Sequence, residues 1–212
     1  MRRVVILWLS SLVVLAAGAV AVCPDGRCII GDFDRAGLGL AHALRSGWLD
    51  GVMERVTWLG SLMLLLPLTV VAALLLRRDR RRREAGFLVL ALLGSSALSH
   101  AFKLWVARPR PDLFPTWLDM PGDWSFPSAH AMQATAAALA WLFVAKRTRM
   151  LWAVLLGLAV LLVGLSRIYL QVHFPSDVVA GTLAALLWVA GLHALLLRPA
   201  AAGHRKPGEG AA

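Results

Sequence analysis

Val56 to Leu76 reads VTWLGSLMLLLPLTVVAALLL, a run with no Lys, Arg, Asp or Glu. At ~1.5 Å of rise per helical residue, such a block crosses the ~30 Å hydrocarbon layer of a bilayer. Five further uncharged blocks share its character: Val4 to Val22, Ala85 to Phe102, Ser128 to Ala145, Met150 to Ser166 and Val178 to Leu197. A soluble core of this size would instead scatter its apolar residues periodically among charges. Composition agrees, with 59% apolar and 16% charged residues, against the ~45–50% and ~25% of soluble domains. A soluble enzyme, a disulfide-built scaffold and a disordered chain are excluded. Strands of a membrane barrel would alternate in polarity, whereas these blocks are solidly apolar, so helices are expected.

The expected fold class is therefore all-α, an integral membrane bundle of six helices at about 4–22, 56–76, 85–106, 128–145, 150–166 and 177–197. Residues 1–200 form one membrane domain, and 201–212, with Gly203, Pro207, Gly208 and Gly210, form a mobile cytoplasmic tail. The third and fourth spans are the least apolar, carrying His100 and His130. The first block also has the features of a secretory signal, with Arg2 and Arg3 before it and Ala19-Val20-Ala21 as a cleavage site; a retained span is the preferred reading.

A net charge of +10 would suggest nucleic acid in a soluble protein. Here the cations sort by loop. Arg2, Arg3, Arg77, Arg78, Arg80 to Arg83, Lys146, Arg147, Arg149, Arg198, Arg205 and Lys206 fall on one side. Arg27, Arg35, Arg45, Arg55, Lys103, Arg108, Arg110 and Arg167 fall on the other, offset by nine of the twelve acids. The positive-inside rule then places both termini in the cytoplasm and the loops 23–55, 103–127 and 167–177 outside, across the cell's inner (plasma) membrane. Membrane lipids are the expected surroundings, with no nucleic acid and no obligate protein partner.

Cys23 and Cys28 flank Pro24-Asp25-Gly26, a turn sequence in an exported loop, so a disulfide between them is expected. Leu40, Ala43, Leu44 and Trp48 recur at helical spacing over 36–53 and suggest one helix lying on the outer surface. Trp8, Trp105, Trp117 and Trp124 read as interface markers.

Three clusters stand apart from topology, and all face outward. Lys103, Arg108 and Arg110 lie in KLWVARPRP, where Pro109 and Pro111 stiffen the backbone and hold the cations towards a shared anion. A single cation at a span end would only snorkel to the headgroups. In FPSAHA, Phe126 to Ala131, Ser128 is a good N-cap, and the free N–H groups of the first turn offer an anion site beside His130. In SRIYLQVHFPSD, Ser166 to Asp177, Arg167 adds a cation, and His173 and Asp177 are four residues apart. A carboxylate accepting one imidazole N–H leaves the other nitrogen with a free lone pair. Cations, helix N–H groups and two histidines suffice for phosphoryl transfer, which depends mainly on positioning and charge stabilisation. The outward loops hold no carboxylate cluster of metal-ligand geometry, so no metal and no other cofactor is expected.

These residues resemble the signature of the type 2 phosphatidic acid phosphatase family of membrane lipid phosphatases: Lys-x6-Arg-Pro, Pro-Ser-Gly-His and Ser-Arg-x5-His-x3-Asp. The matches are Lys103, Arg110 and Pro111; Pro127, Ser128 and His130; and Ser166, Arg167, His173 and Asp177. Ala129 departs from the usual glycine, yet alanine keeps its N–H and suits a helical first turn. The resemblance implies that His173 attacks phosphorus to give a phosphohistidine, Asp177 orients it, and His130 protonates the leaving oxygen. It also implies that Lys103, Arg110, Arg167, Ser128 and the Ala129 amide hold the phosphate. The implied substrate is a lipid phosphate or diphosphate at the outer edge of the bilayer, undecaprenyl diphosphate first. Phosphatidylglycerol phosphate, a lipid A phosphate and phosphatidic acid follow, and a lipid phosphotransferase or a non-enzymatic lipid-binding protein are the alternatives. Arg108, outside the invariant positions, is the expected contact to a second phosphate.

Overall fold

The structure, a computed structural model, describes residues 2–115, 122–145 and 149–197. Among these residues eight α-helices follow one another: α1 (Arg2–Val22), α2 (Asp32–Ala43), α3 (Gly47–Thr57), α4 (Leu62–Arg78), α5 (Arg82–Val106), α6 (Ala129–Val144), α7 (Arg149–Tyr169) and α8 (Pro175–Leu196). The all-α membrane class read from the apolar blocks is borne out. Among the described residues, α1, α5, α7 and α8 are long and apolar enough to cross a bilayer, and the bent run Gly47–Gly60 plus Leu62–Arg78 makes a fifth candidate. The remaining block, Ser128 to Ala145, is α6, an apolar helix of 16 residues. The expected tail 201–212, Trp117 and the cations Lys146, Arg147, Arg198, Arg205 and Lys206 lie outside the described residues.

Small side chains on α6 and α8 let their backbones meet. Ala131, Ala136 and Ala140 on α6 and Ala184 and Ala185 on α8 are buried, small residues of the kind that membrane helices use for close packing when lipid offers no hydrophobic drive between them. At Gly181 a Cβ would come within 3.0 Å of the Ser128 carbonyl, so α8 begins flush against the start of α6. On its far side α8 receives α1, where the Ser11 hydroxyl donates to the Ala184 carbonyl at 2.9 Å. The exposed apolar residues are strung along α1, α4 and α7, among them Val13, Leu74 and Leu161. These are the faces that lipid covers.

Two boundaries differ from expectation for identifiable reasons. The surface helix expected over 36–53 is two helices, broken where Ser46 caps α3 by accepting from the Leu49 N–H. Leu40, Leu44 and Trp48 nevertheless remain exposed. The 56–76 block is likewise broken: Ser61 turns extended, accepts from the Met63 N–H and starts α4, with a bend of 41°. The break sits at Gly60, where a Cβ would lie 2.6 Å from Val163 and 3.0 Å from the His130 carbonyl. The fold therefore carries α3 away from α4 at the level of His130. Cys23 and Cys28 are joined by a disulfide around the short 3-10 turn Pro24–Gly26.

Candidate active site

α5 closes with Ala107 in the left-handed region, φ 48°, a conformation that usually falls to glycine at a helix end. The chain then reverses, leaving Lys103 on the last turn of α5 and sending Arg108 and Arg110 inward. A second left-handed residue, Gln171 at φ 57°, turns the chain after α7. Its side-chain amide donates to the Leu38 and Ile168 carbonyls, and the His173 N–H donates to the Arg167 carbonyl at 3.2 Å. The result is an inward His173, 1% exposed, two residues before α8.

The imidazole has two unlike sides. Nδ1 lies 3.4 Å from Asp177 Oδ2 and 3.4 Å from the Ser125 hydroxyl. Nε2 lies 3.3 Å from Arg110 Nη1. A proton on Nδ1 facing the carboxylate leaves the Nε2 lone pair directed at the cations. Burial first, then Arg110, Arg167, Lys103 and His130, holds the His173 pKa well below the usual imidazole value, so the lone pair is available. Asp177 is fully buried at the third position of α8 and accepts from the Phe174 N–H at 3.0 Å and from Ser125.

Lys103, Arg110 and Arg167 form the cationic wall. Lys103, 3% exposed, donates to the Trp124 carbonyl and pairs with Asp123 at 3.0 Å. Arg110 binds the Asp123 carboxylate and the Val172 carbonyl. Arg167 donates one N–H to Thr57 Oγ1 at 2.7 Å, while its Nε–H is buried with no partner among the described residues. An unsatisfied buried guanidinium N–H is costly unless an anion completes it. Asp123 fills the space between Lys103 and Arg110. Burial pulls its pKa up, but Lys103 and Arg110 outweigh that and bring it down to about 2.

At the head of α6, Ser128 is fully buried and accepts from the Ala131 N–H at 3.5 Å. Its own N–H donates to the Asp177 carbonyl at 3.2 Å, which ties the first turn of α6 to the first turn of α8. Ala129 opens the helix, and the half-buried His130 follows in the same turn against Gly60. The three sequence clusters thus converge at one end of the bundle. Among the described residues, no three His, Cys, Asp or Glu side chains converge as metal ligands would.

One expectation is corrected. Arg108 cannot contact a second phosphate as placed, because it is 1% exposed and its guanidinium is consumed by Asp177 at 2.6 Å and Asp34 at 2.8 Å. Three participants were not read from the sequence. Ser125 directly precedes the FPSAHA stretch, so its hydroxyl was a legible signal. Asp123 counted only as an acid in an outer loop. Asp34 has no local signal, since its partners lie far along the chain.

Comparison with known proteins agrees with this constellation. Residues 84–199 match the family model described as the PAP2 superfamily. The chain is 35% identical over 156 residues to phosphatidylglycerophosphatase B of Bacillus subtilis, covering 69% of this chain and 75% of that one. It is 36% identical over 101 residues to an undecaprenyl-diphosphatase of Sulfolobus acidocaldarius, covering 45% and 47%. A crystal structure of a transmembrane PAP2-type phosphatidylglycerolphosphate phosphatase from Bacillus subtilis superposes with a TM-score of 0.76 at 29% identity, covering 92% of this chain and 96% of that one.

Proposed function

The chain belongs to the PAP2 superfamily and is a multi-pass membrane lipid phosphatase, and from that premise we propose that it hydrolyses a phosphomonoester lipid of the phosphatidylglycerol phosphate kind through a phosphohistidine. The observation that carries this is the two-sided His173, with Nδ1 on Asp177 and Nε2 facing Arg110 beside Lys103 and the unsatisfied Arg167. In the first step the Nε2 lone pair forms a bond to phosphorus. The bond from phosphorus to the lipid oxygen breaks, its electron pair leaves with that oxygen, and His130 supplies the proton. Asp177 stabilises the positive imidazole that results. Lys103, Arg110, Arg167, the Ser128 hydroxyl and the first-turn N–H of Ala129 neutralise the equatorial oxygens, where charge stabilisation contributes most. In the second step water attacks phosphorus, His130 takes its proton, and inorganic phosphate leaves with His173 restored.

In this reading α6 also crosses and completes six spans, the site lies at the extracytoplasmic edge of the inner membrane, and both termini are cytoplasmic. The cation count favours a single phosphoryl group, since Arg108 is spent on buried carboxylates and three cations remain. The reading of undecaprenyl diphosphate as substrate keeps one specific support, the similarity to the Sulfolobus acidocaldarius diphosphatase. Purified protein assayed on both lipids tests the choice. The expected result is a higher kcat/KM on phosphatidylglycerol phosphate, abolished by His173→Ala and reduced to a trace by Asp177→Asn. Near-normal turnover by His173→Ala would overturn the nucleophile assignment, and a preference for the diphosphate would overturn the substrate.

A further inference from the structure

A buried guanidinium with two carboxylate partners lies directly behind His173. Arg108 Nη1 donates to Asp177 Oδ1 at 2.6 Å and to the Ser176 hydroxyl at 2.9 Å. Arg108 Nη2 donates to Asp34 Oδ2 at 2.8 Å and to the Ile29 carbonyl at 3.1 Å. The guanidinium carbon lies over the Phe174 ring, 3.8 Å from its centroid. Asp34 closes the ring of contacts, accepting from the Ser176 N–H at 2.9 Å and from its hydroxyl at 2.8 Å. Arg108, Asp34 and Asp177 are 1%, 3% and 0% exposed.

Such a cluster is expensive to build unless every partner is present. Desolvating a lone guanidinium or carboxylate costs several kcal/mol, and each hydrogen bond here offsets part of that. The planar fork of arginine suits the task, because its two terminal nitrogens reach two carboxylates at once, which a lysine ammonium does from a single point. The consequence for Asp177 is geometric. With Oδ1 fixed by Arg108, Oδ2 is left for Ser125, the Phe174 N–H and His173 Nδ1.

We infer that Asp34 and Arg108 are positioning residues for the catalytic pair: Asp34, from the surface helix α2, holds Arg108, and Arg108 fixes the Asp177 carboxylate so that its second oxygen orients His173. The inference rests on the reading of His173 as nucleophile. It goes beyond the family match, which spans residues 84–199 and so leaves α2 outside. The seat of α2 is built for it. Gly37 lies so close to Pro175 that a Cβ there would sit 2.4 Å from the proline ring. That closeness, with the Gln171 amide on the Leu38 carbonyl, presses Asp34 onto the first turn of α8.

The test compares wild type with Asp34→Asn and Ser176→Ala, reading kcat, KM and vanadate inhibition on one lipid phosphate, with melting in the same detergent as a control. Asp34→Asn keeps shape but removes the charge that holds Arg108. Ser176→Ala removes only the hydroxyl shared by Arg108 and Asp34, and a small residue there leaves the fold intact. Expected are a fall in kcat of roughly tenfold or more for Asp34→Asn, the loss of a charge-assisted contact, and a smaller fall for Ser176→Ala. KM and the vanadate inhibition constant stay within about twofold in both, because the cationic wall is untouched. Should Asp34→Asn melt too low to assay, Ser176→Ala decides by the same split. Unchanged kcat in the folded variants overturns the inference, as does a loss confined to KM and vanadate binding, which would put Arg108 on the phosphate. His173→Ala separates the two levels: if it stays active the nucleophile reading fails, and if it is dead while Asp34→Asn equals wild type, only the positioning role fails.

Discussion

Replacing Asp123 by Asn should tighten the binding of phosphate mimics. The Asp123 carboxylate lies 3.0 Å from Lys103 Nζ and pairs with Arg110, two of the three cations proposed to hold the incoming phosphoryl group. At an effective dielectric of about 20, one pair at that separation is worth about 5 kcal/mol before screening. Asp123 is 49% exposed, and exposed pairs measure only ~0.2–1 kcal/mol each, so two together come to roughly 0.4–2 kcal/mol. An anion that displaces the carboxylate loses that amount, which Asn returns, since it keeps the shape and an accepting oxygen but not the charge. The vanadate inhibition constant should therefore fall about two- to thirtyfold. With its pKa at about 2, Asp123 is ionised throughout any practical assay range, so the gain should not vary with pH above about 5. The assay is vanadate inhibition of lipid phosphate hydrolysis by both proteins in one detergent, with KM measured alongside. Equal or weaker inhibition of the variant would refute the reasoning, because Asp123 would then hold the cations in place while the anion binds elsewhere on them.

The depressed pKa of His173 fixes the sign of its pH effects: the lone pair survives as pH falls through ~6.5 and is lost only further down. A kcat profile with an acid limb well below 6.5 is expected, and a limb at the ordinary imidazole value would place His173 in a solvated, unperturbed setting. By linkage, the unfolded chain takes up that proton first, so this buried neutral histidine contributes stability above ~6.5 that declines as pH drops below it. Melting in detergent should show that decline in wild type more than in His173→Gln. Turnover should persist in excess chelator and be inhibited by vanadate; a strict magnesium requirement would mean that Lys103, Arg110 and Arg167 do not suffice. Single-cysteine variants at 112–115, in a background lacking Cys23 and Cys28, should react with an impermeant thiol reagent in intact cells, and variants at 77–84 should not; the reverse pattern would put the site inside.

What the sequence displays and what it hides divide along a physical line. Apolar block length announces helices in lipid because each residue contributes locally to the crossing, which is why α1, α5, α7 and α8 fall where Val4 to Val22, Ala85 to Phe102, Met150 to Ser166 and Val178 to Leu197 lead one to expect them. The break at Gly60-Ser61 is invisible to that criterion, since a serine among leucines alters hydropathy little while its hydroxyl caps α4. His173 and Asp177 were legible because four residues at the start of a helix bring them together without any tertiary information. Arg108 was misread for the opposite reason. Its neighbours Lys103 and Arg110 stand in one short run and share a face of the site, but its carboxylates come from α2 and α8, at sequence separations of 74 and 69. A cation flanked by cations in sequence invites an anionic ligand, whereas this one is neutralised within the fold. That difference also bears on the substrate proposed above: if the fourth cation is spent on orienting the chain's own carboxylate, three are left for the lipid headgroup, and a monoester needs no more.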